Sequence, residues 1–400
     1  MKTMHQPLSL LTLALCATTV PAQAADEVES TSTASTVGEA LSQGKASLSL
    51  RARSEQVNTE GTDTVDLTSL KTRLGFQSAT FRGFSALIEM DDVTHMTKYE
   101  GGIADPEGTE VNQAVLAYGA GDTTLKYGRQ RILLDNQRFV GGVGFRQNEQ
   151  TYDGFSITNR SLTDTTLFLA HVDNVNRIFG EDSPLGDHKN DTYLFNTKYT
   201  GVSAGALSAY AYLIDNLDAP GFSTDTYGLR FAGKTGPALY ALEYATQSAA
   251  ADNPASYRAA YLFAEGGYRF GAVTLKAGYE LLGADGADGQ FITPLATLHK
   301  FQGWNDKFLG GGSGNIAGGI EDVYASLGTE LAGINLALNY HQLNSDDTEV
   351  SGMNQLGSEY GFVVGGKLDA VALSLKYSSY SADDFSVDTD KLWLTAQAQF

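Results

Sequence analysis

Cysteine is almost missing from this chain. Cys16 is the single one in 400 residues, so no internal disulfide can form. Histidine is scarce as well, six in all. None of His95, His171, His188, His299 and His341 stands in a G-x-S-x-G or H-E-x-x-H frame, so hydrolytic and zinc-dependent chemistry have no local motif to rest on. Beyond residue 24 no apolar run approaches the ~20 residues of a helical membrane span. Basic clusters of the kind that bind nucleic acid are lacking in a chain of formal net charge -20. The glycine run 310–315 lacks the Lys-Ser/Thr ending of a phosphate loop. The acidic pairs Asp91-Asp92, Asp346-Asp347 and Asp383-Asp384 lack calcium-loop spacing. No metal, cofactor, catalytic residue or nucleic-acid partner is expected.

What is present is a secreted, aromatic and glycine-rich pattern, with 44 Gly, 20 Tyr and 19 Phe against 8 Pro. An early lysine, an apolar run over 8–17 and the small-residue site Ala22-Gln23-Ala24 make residues 1–24 a signal peptide. A lipoprotein signal is the weaker reading, because Leu15 precedes Cys16 where a small residue is needed. Residues 25–44 form a polar lead. From residue 45 to 400 the chain breaks into segments of ~10 residues with period-two alternation, the pattern of an outer-membrane barrel. In 272–281, Val273, Leu275, Ala277, Tyr279 and Leu281 share one face, and Thr274, Lys276, Gly278 and Glu280 share the other.

Short links at 80–83, 119–122, 160–163, 201–205, 233–236, 270–272, 330–333 and 369–370 alternate with longer polar stretches such as 94–109, 174–189, 283–319 and 344–357. Short periplasmic turns and long external loops of this kind predict an all-β fold, a transmembrane antiparallel β-barrel of about 18 strands with both ends on the periplasmic side. Residues 296–304 are assigned to the long loop. Phe400 ends the chain on the face of Leu392, Leu394, Ala396 and Ala398, in the manner of an assembly signature, whereas Trp393 has the opposite parity.

With apolar residues facing lipid, Arg51, Arg53, Lys71 and Arg73 point into the lumen on two neighbouring strands. Glu89 and Asp91 point inward beside them, so a transverse field crosses the pore. Arg129, Arg131, Arg138 and Arg146 then crowd into 129–146. Simple alternation places Arg129 and Arg131 with Leu125 and Tyr127 on the lipid side, where a midplane arginine costs ~2–4 kcal/mol. Either a bulge at Gly128 turns both inward, or this end of the strand already stands above the membrane. Arg138 and Arg146 belong to the following connection, which can fold into the channel as a constriction held by Glu149 and Asp153. The alternative is that these arginines only pair with loop carboxylates or lipopolysaccharide.

Segments 128–154, 37–55 and 298–310 resemble the alginate-export-like outer-membrane porins. The resemblance implies an 18-stranded barrel and, as in the founding members, an arginine-rich channel for an anionic uronate polymer. The expected function is passive diffusion of small or oligomeric anionic solutes, acidic saccharides among them, through the outer membrane. The expected partners are outer-membrane lipid, lipopolysaccharide and the barrel-assembly machinery. A general non-selective porin is the alternative, and an outer-membrane hydrolase the more remote one.

Overall fold

The computed structural model describes residues 33–99 and 101–400. The expected signal peptide, Cys16 and the start of the polar lead lie outside the described residues. Eighteen strands form the wall. They are β1 (Lys45–Thr59), β2 (Val65–Gln77), β3 (Phe84–His95), β4 (Gly108–Ala120), β5 (Thr123–Gln130), β6 (Thr151–Asn159), β7 (Thr165–Asn176), β8 (Asp187–Val202) and β9 (Gly205–Ile214), then β10 (Thr224–Thr235), β11 (Ala238–Ala249), β12 (Arg258–Phe270), β13 (Val273–Leu282), β14 (Ile320–Leu331), β15 (Ile334–Asn344), β16 (Gln355–Leu368), β17 (Val371–Ala382) and β18 (Thr389–Gln399). Each is antiparallel to its neighbours in sequence, and β18 pairs with β1 through Leu50↔Ala398 and Arg53↔Thr395. The sheet is closed, so no strand edge faces lipid.

The turns at one rim are tight because their sequences tolerate left-handed backbone. Gly121, Gly236 and Gly271 have φ of 57°, 58° and 61°, the conformation that two-residue hairpin turns need. Along each strand the usual burial order is inverted. On β11, Leu242 and Tyr244 are exposed while Ala241, Glu243 and Ala245 are buried, because the outer face meets hydrocarbon and the inner face meets protein. Thr33–Ala34 pairs with Thr80–Phe81, and a short helix α1 (Val37–Ser42) follows, with Thr36 capping the Glu39 amide and Glu39 accepting from the Ser35 amide. This reciprocal pattern is a capping box one residue out of register with the usual form.

Residues 131–150 and 283–319 do not stay outside. Both fold into the barrel, where Phe139, Val140, Phe291 and Leu295 join Tyr152, Leu194, Tyr210, Tyr212, Tyr261 and Leu282 of the wall in one apolar cluster. The long stretch 283–319, read from its polarity as an external loop, is drawn inward by Phe291, Leu295, Trp304 and Phe308, all buried.

The barrel closes on its last residue. The Phe400 amide donates to the Leu48 carbonyl at 2.8 Å, and the Leu48 amide donates to the Phe400 carbonyl at 3.0 Å, while Phe400 itself is exposed. Deleting Phe400 is expected to lower the yield of heat-modifiable protein in the outer membrane and to leave the single-channel conductance of assembled molecules unchanged. Normal membrane levels of the truncated chain, read on unheated gels, would remove Phe400 from the assembly step.

Candidate functional site

The two inward loops form one body. Val140 and Leu295 bridge in parallel. The Gly141 amide donates to the Leu295 carbonyl at 2.9 Å, and the Thr297 amide donates to the Gln137 carbonyl at 3.0 Å. A methyl group on Gly141 would lie 2.2 Å from Thr297 Oγ1, so the approach of the loops requires glycine there. The Tyr152 hydroxyl on β6 donates to the Gly141 carbonyl at 2.7 Å. Arg138, with no exposure at all, forks onto Glu280 of β13 at 2.7 and 3.4 Å and donates to Thr293 Oγ1 at 3.1 Å.

On the opposite side the same body meets a charged wall. Arg51 donates to Gln147 Oε1 at 2.8 Å, to the Gly144 carbonyl at 2.9 Å and to the Arg146 carbonyl. Arg53 donates to the Phe145 carbonyl and stands 3.9 Å from Asp105. The Gln147 amide donates to Asp105 Oδ1 at 2.7 Å, and its side chain donates to Ser69 Oγ at 2.8 Å. Arg146 spans Glu55 of β1 at 2.9 Å and Asp306 of the second loop at 3.1 Å. Its charged form is strengthened although burial opposes it, because Glu55, Asp105 and Asp306 surround it.

Glu149 is the hub of the remaining cations. It lies 2.5 Å from Arg131, 2.9 Å from Arg73 and 3.8 Å from Lys71. Arg73 also grips Asp91 with two bonds of 2.6 Å and reaches Glu89 at 3.5 Å, and Arg131 holds Glu89 at 2.5 Å. Burial alone would raise the Glu149 carboxyl, yet Arg131, Arg73 and Lys71 outweigh it and hold the group well below its usual 4.5. The inward acids Glu89, Asp91 and Glu149 thus lie among Lys71, Arg73 and Arg131, and the field that separate basic and acidic walls would set up is largely closed on itself.

Arg129 differs from the other seven cations. β5 runs against β4 without a register shift, Val115↔Gly128 and Ala114↔Arg129, so no bulge at Gly128 resets the parity. The bulges fall instead on the flanking pairs, at Asn112 of β4 and at Asp173 of β7, opposite Asp153/Gly154 of β6. Gln130, at 2 % exposure, is the inward residue, and Arg129 keeps the outward parity of Tyr127. There it pairs with Asp153 at 2.9 Å and with Glu181 of an external loop at 3.1 Å. Arg129 is therefore a rim residue. Arg131 turns inward because the strand has already ended at Gln130.

Several members of the site carried no sequence signal. His299 stacks on Phe145 with ring centroids 3.6 Å apart and bonds Asp306 at 2.8 Å. Burial, with Lys376 and Arg146 close by, pushes this imidazole down to about 3, so it stays neutral. Lys376 of β17 donates to His299 Nε2 at 2.7 Å and sits over the ring of Trp304 at 4.0 Å. Trp393, whose parity did not fit a lipid face, is inward and 1 % exposed in this cluster. Glu359 of β16 accepts from the Trp304 and Asn305 amides. On most strands the inward residues of the outer half are buried, Glu55, Leu67, Tyr152, Leu194, Tyr261, Leu282, Ile320, Glu359 and Thr389 among them, while Val57, Val65 and His95 near the outer ends of β1, β2 and β3 are half-buried. Toward the periplasmic rim many inward residues are more accessible, Ser47, Ser49 and Gly75 among them.

A family model described as alginate export matches residues 43–308. Among solved structures, OccK11 (OpdR) of Pseudomonas aeruginosa superposes with a TM-score of 0.70 at 15 % identity, over 90 % of this chain and 96 % of that one. OccK3 (OpdO) of the same organism gives 0.70 at 14 %, over 91 % and 97 %. OpdK, also of Pseudomonas aeruginosa and solved with vanillate, gives 0.71 at 14 %, over 90 % and 99 %. Comparison with curated proteins gave no match.

Two outcomes follow from the charge pairing. Arg138→Met removes one partner of a fully buried pair and leaves Glu280 with the Tyr261 hydroxyl; a loss of ~3–5 kcal/mol is expected for such a break, read as a lower denaturant midpoint in detergent. For Glu149 the folded-state carboxyl lies below its unfolded value, so its contribution is complete above the unfolded pKa and is lost as pH falls through the folded one. Stability should hold from pH 8 to about 5 and decline in stronger acid, and Glu149→Gln should be less stable near neutrality with a flatter acid limb. An identical acid limb in the variant would show that Glu149 does not carry it.

Proposed function

Because the chain belongs to the alginate export family and is an outer-membrane porin rather than an enzyme, we propose that it passes small or oligomeric anions, acidic saccharides among them, by passive diffusion. The observation that carries the reading is the charge of the periplasmic half of the lumen. Lys198, Lys234, Arg269 and Lys367 are exposed near the periplasmic ends of β8, β10, β12 and β16. Lys234 has the parity of Arg230 and pairs with Leu239, which alternates with buried Ala241 and Glu243. Arg269 shares parity with buried Tyr261 and Phe263, Lys198 with Leu194 and Asn196, and Lys367 with Glu359 and Val363. These cations share the inward face near the periplasmic rim with one acid, Glu330 of β14, which is also exposed.

A low-dielectric wall focuses their potential, so a carboxylated solute is concentrated there before it meets the constriction. Successive weak cationic contacts then allow both capture and release. A structural relative solved with vanillate, a carboxylate, is consistent with this chemistry. A general, non-selective porin is the second reading, favoured by the pairing of Lys71, Arg73, Arg131, Arg138 and Arg146 with carboxylates. On the anion reading Arg51, Arg53, Lys71, Arg73 and Arg131 are reached only after the periplasmic cations.

Lys198→Gln, Lys234→Gln and Lys367→Gln together should shift the reversal potential in a salt gradient toward cation preference. The shift should shrink between about 0.01 and 1 M salt as the screening length falls from about 30 to 3 Å. Arg129→Gln, at the outer rim, should leave the potential unchanged. A triple variant that matches the parent at low salt would decide for the non-selective porin.

A further inference from the structure

The body formed by residues 131–150 and 283–319 is held by two unlike faces. Toward β6–β13 it is mainly apolar, with Phe139, Val140, Phe291 and Leu295 set among wall tyrosines and leucines, and the buried Arg138–Glu280 pair and the bonds from Asn196 and Ser208 to Asp135 tie it to that wall as well. Toward β18, β1 and β2 it is held mostly by groups that water can replace: guanidinium-to-carbonyl bonds from Arg51 and Arg53, the Gln147–Ser69 bond, and the ion pairs of Arg146 with Glu55 and of Lys391 with Asp306 at 3.3 Å, the apolar contact there being the small cluster of Phe145 and Trp304 with Trp393. This second face is also incomplete. Arg53 Nε and Trp393 Nε1 are buried donors with no hydrogen-bond partner, and a buried donor left unpaired favours any state in which water reaches it.

We propose that the two loops move as one gate, hinged on the apolar β6–β13 wall, and that solute crosses when the gate lifts from β18, β1 and β2. In the structure most inward residues of the outer half of the lumen are buried beneath the two loops, so wide passage requires displacement of the loops. Lifting at the polar face breaks bonds that water reforms, whereas lifting at the other face would expose the apolar cluster. The crevice so opened is lined by Arg51, Arg53, Lys71 and Arg73, and their partners Gly144, Phe145, Gln147 and Glu149 leave with the loop. The gate rests on the chain being a diffusion channel and does not depend on its ion preference.

Two cysteine pairs test it, with Cys16 the sole native cysteine. Ser69→Cys with Gln147→Cys spans the polar face, where the parent side chains meet at 2.8 Å. Val140→Cys with Leu295→Cys joins the loops to each other at their bridge. A short bifunctional thiosulfonate across the first pair should cut conductance about tenfold or more, because it pins the constriction shut, and reductant should restore it. Across the second pair the same reagent should leave conductance within about twofold, since a body that moves as one tolerates an internal link. A linked 69–147 channel that conducts like its unlinked form overturns the gate, and a 140–295 link that blocks conduction overturns the single-body motion. In either case the reversal potential of the lysine variants is untouched, so the ion preference stands or falls separately. In the unmodified protein the Gln147 amide, bonded to Asp105, should exchange with solvent faster than the Gly141 amide, bonded to Leu295; equal protection of the two would also exclude the hinge.

Discussion

A charge that loses its water must find a partner, and this condition governs the interior of the barrel. Once residues 131–150 and 283–319 fill the outer half of the lumen, a guanidinium pointing into that half becomes a buried ion, several kcal/mol worse off than in water unless it is paired. The arrangement meets this condition residue by residue. Arg146 has Glu55 and Asp306, Arg138 has Glu280, and Arg73 and Arg131 share Glu89 and Glu149. Arg51 is satisfied by a glutamine and two carbonyls instead. An acidic chain therefore gathers arginines in one stretch because that stretch is driven into a wall already carrying carboxylates. The net charge of -20 plays no part in the matching, which is local.

Legibility from sequence divides along the range of the interactions. Strand parity, the short turns and the terminal Phe400 are set by residues one or two positions apart, and the 18 strands follow from them. Docking of the loops is set by partners such as Arg146 and Asp306, 160 residues apart, and no local pattern announces those. The polarity of 283–319 pointed outward, and four large apolar side chains spread thinly along it proved decisive. Trp393 was a misfit only while its strand was treated as lipid-facing on one side and watery on the other. The inner side here is protein, and indole suits it. Arg129 shows the converse case, since strict alternation was right and the parity-resetting bulge at Gly128 was the wrong remedy for an arginine already at the rim.

Gly128 has a different task from the one its flexibility suggested. Its φ of 114° and the 2.1 Å that would separate a methyl group from the Ala114 carbonyl show a strand pressed against its neighbour. Gly154 lies directly across in the register, with φ of 151°. Two glycines facing one another leave no side chain from β5 or β6 inside at that level, next to the point where the chain departs for the lumen. The gap lets Gln130 reach back to the Gly128 and Gly154 carbonyls at 3.4 and 3.3 Å and accept from the Ser156 hydroxyl at 2.6 Å. The strand end is thereby fixed, and Arg131 is delivered inward to Glu89 and Glu149.

The two halves of the lumen are built on opposite principles, and their order along the axis has a consequence for transport. The outer half is dense and its charges are mostly paired, so it offers a permeating ion little net field while the loops are seated. The inner half is open, with cations that have solvent around them. On the proposed anion reading, an anion arriving from the periplasm would meet the attractive field first and the barrier second, whereas one arriving from outside would meet the barrier first. Equilibrium across a passive channel is unaffected by that order, because binding cannot bias a downhill flux at zero gradient. On the proposed anion reading, what the order does set is where an anion waits. Accumulation would occur beneath the seated loops, against Lys198, Lys234, Arg269 and Lys367, and under the proposed gate a carboxylate held there would meet the Arg51, Arg53 and Arg73 side chains once the loop carbonyls and Glu149 withdraw from them.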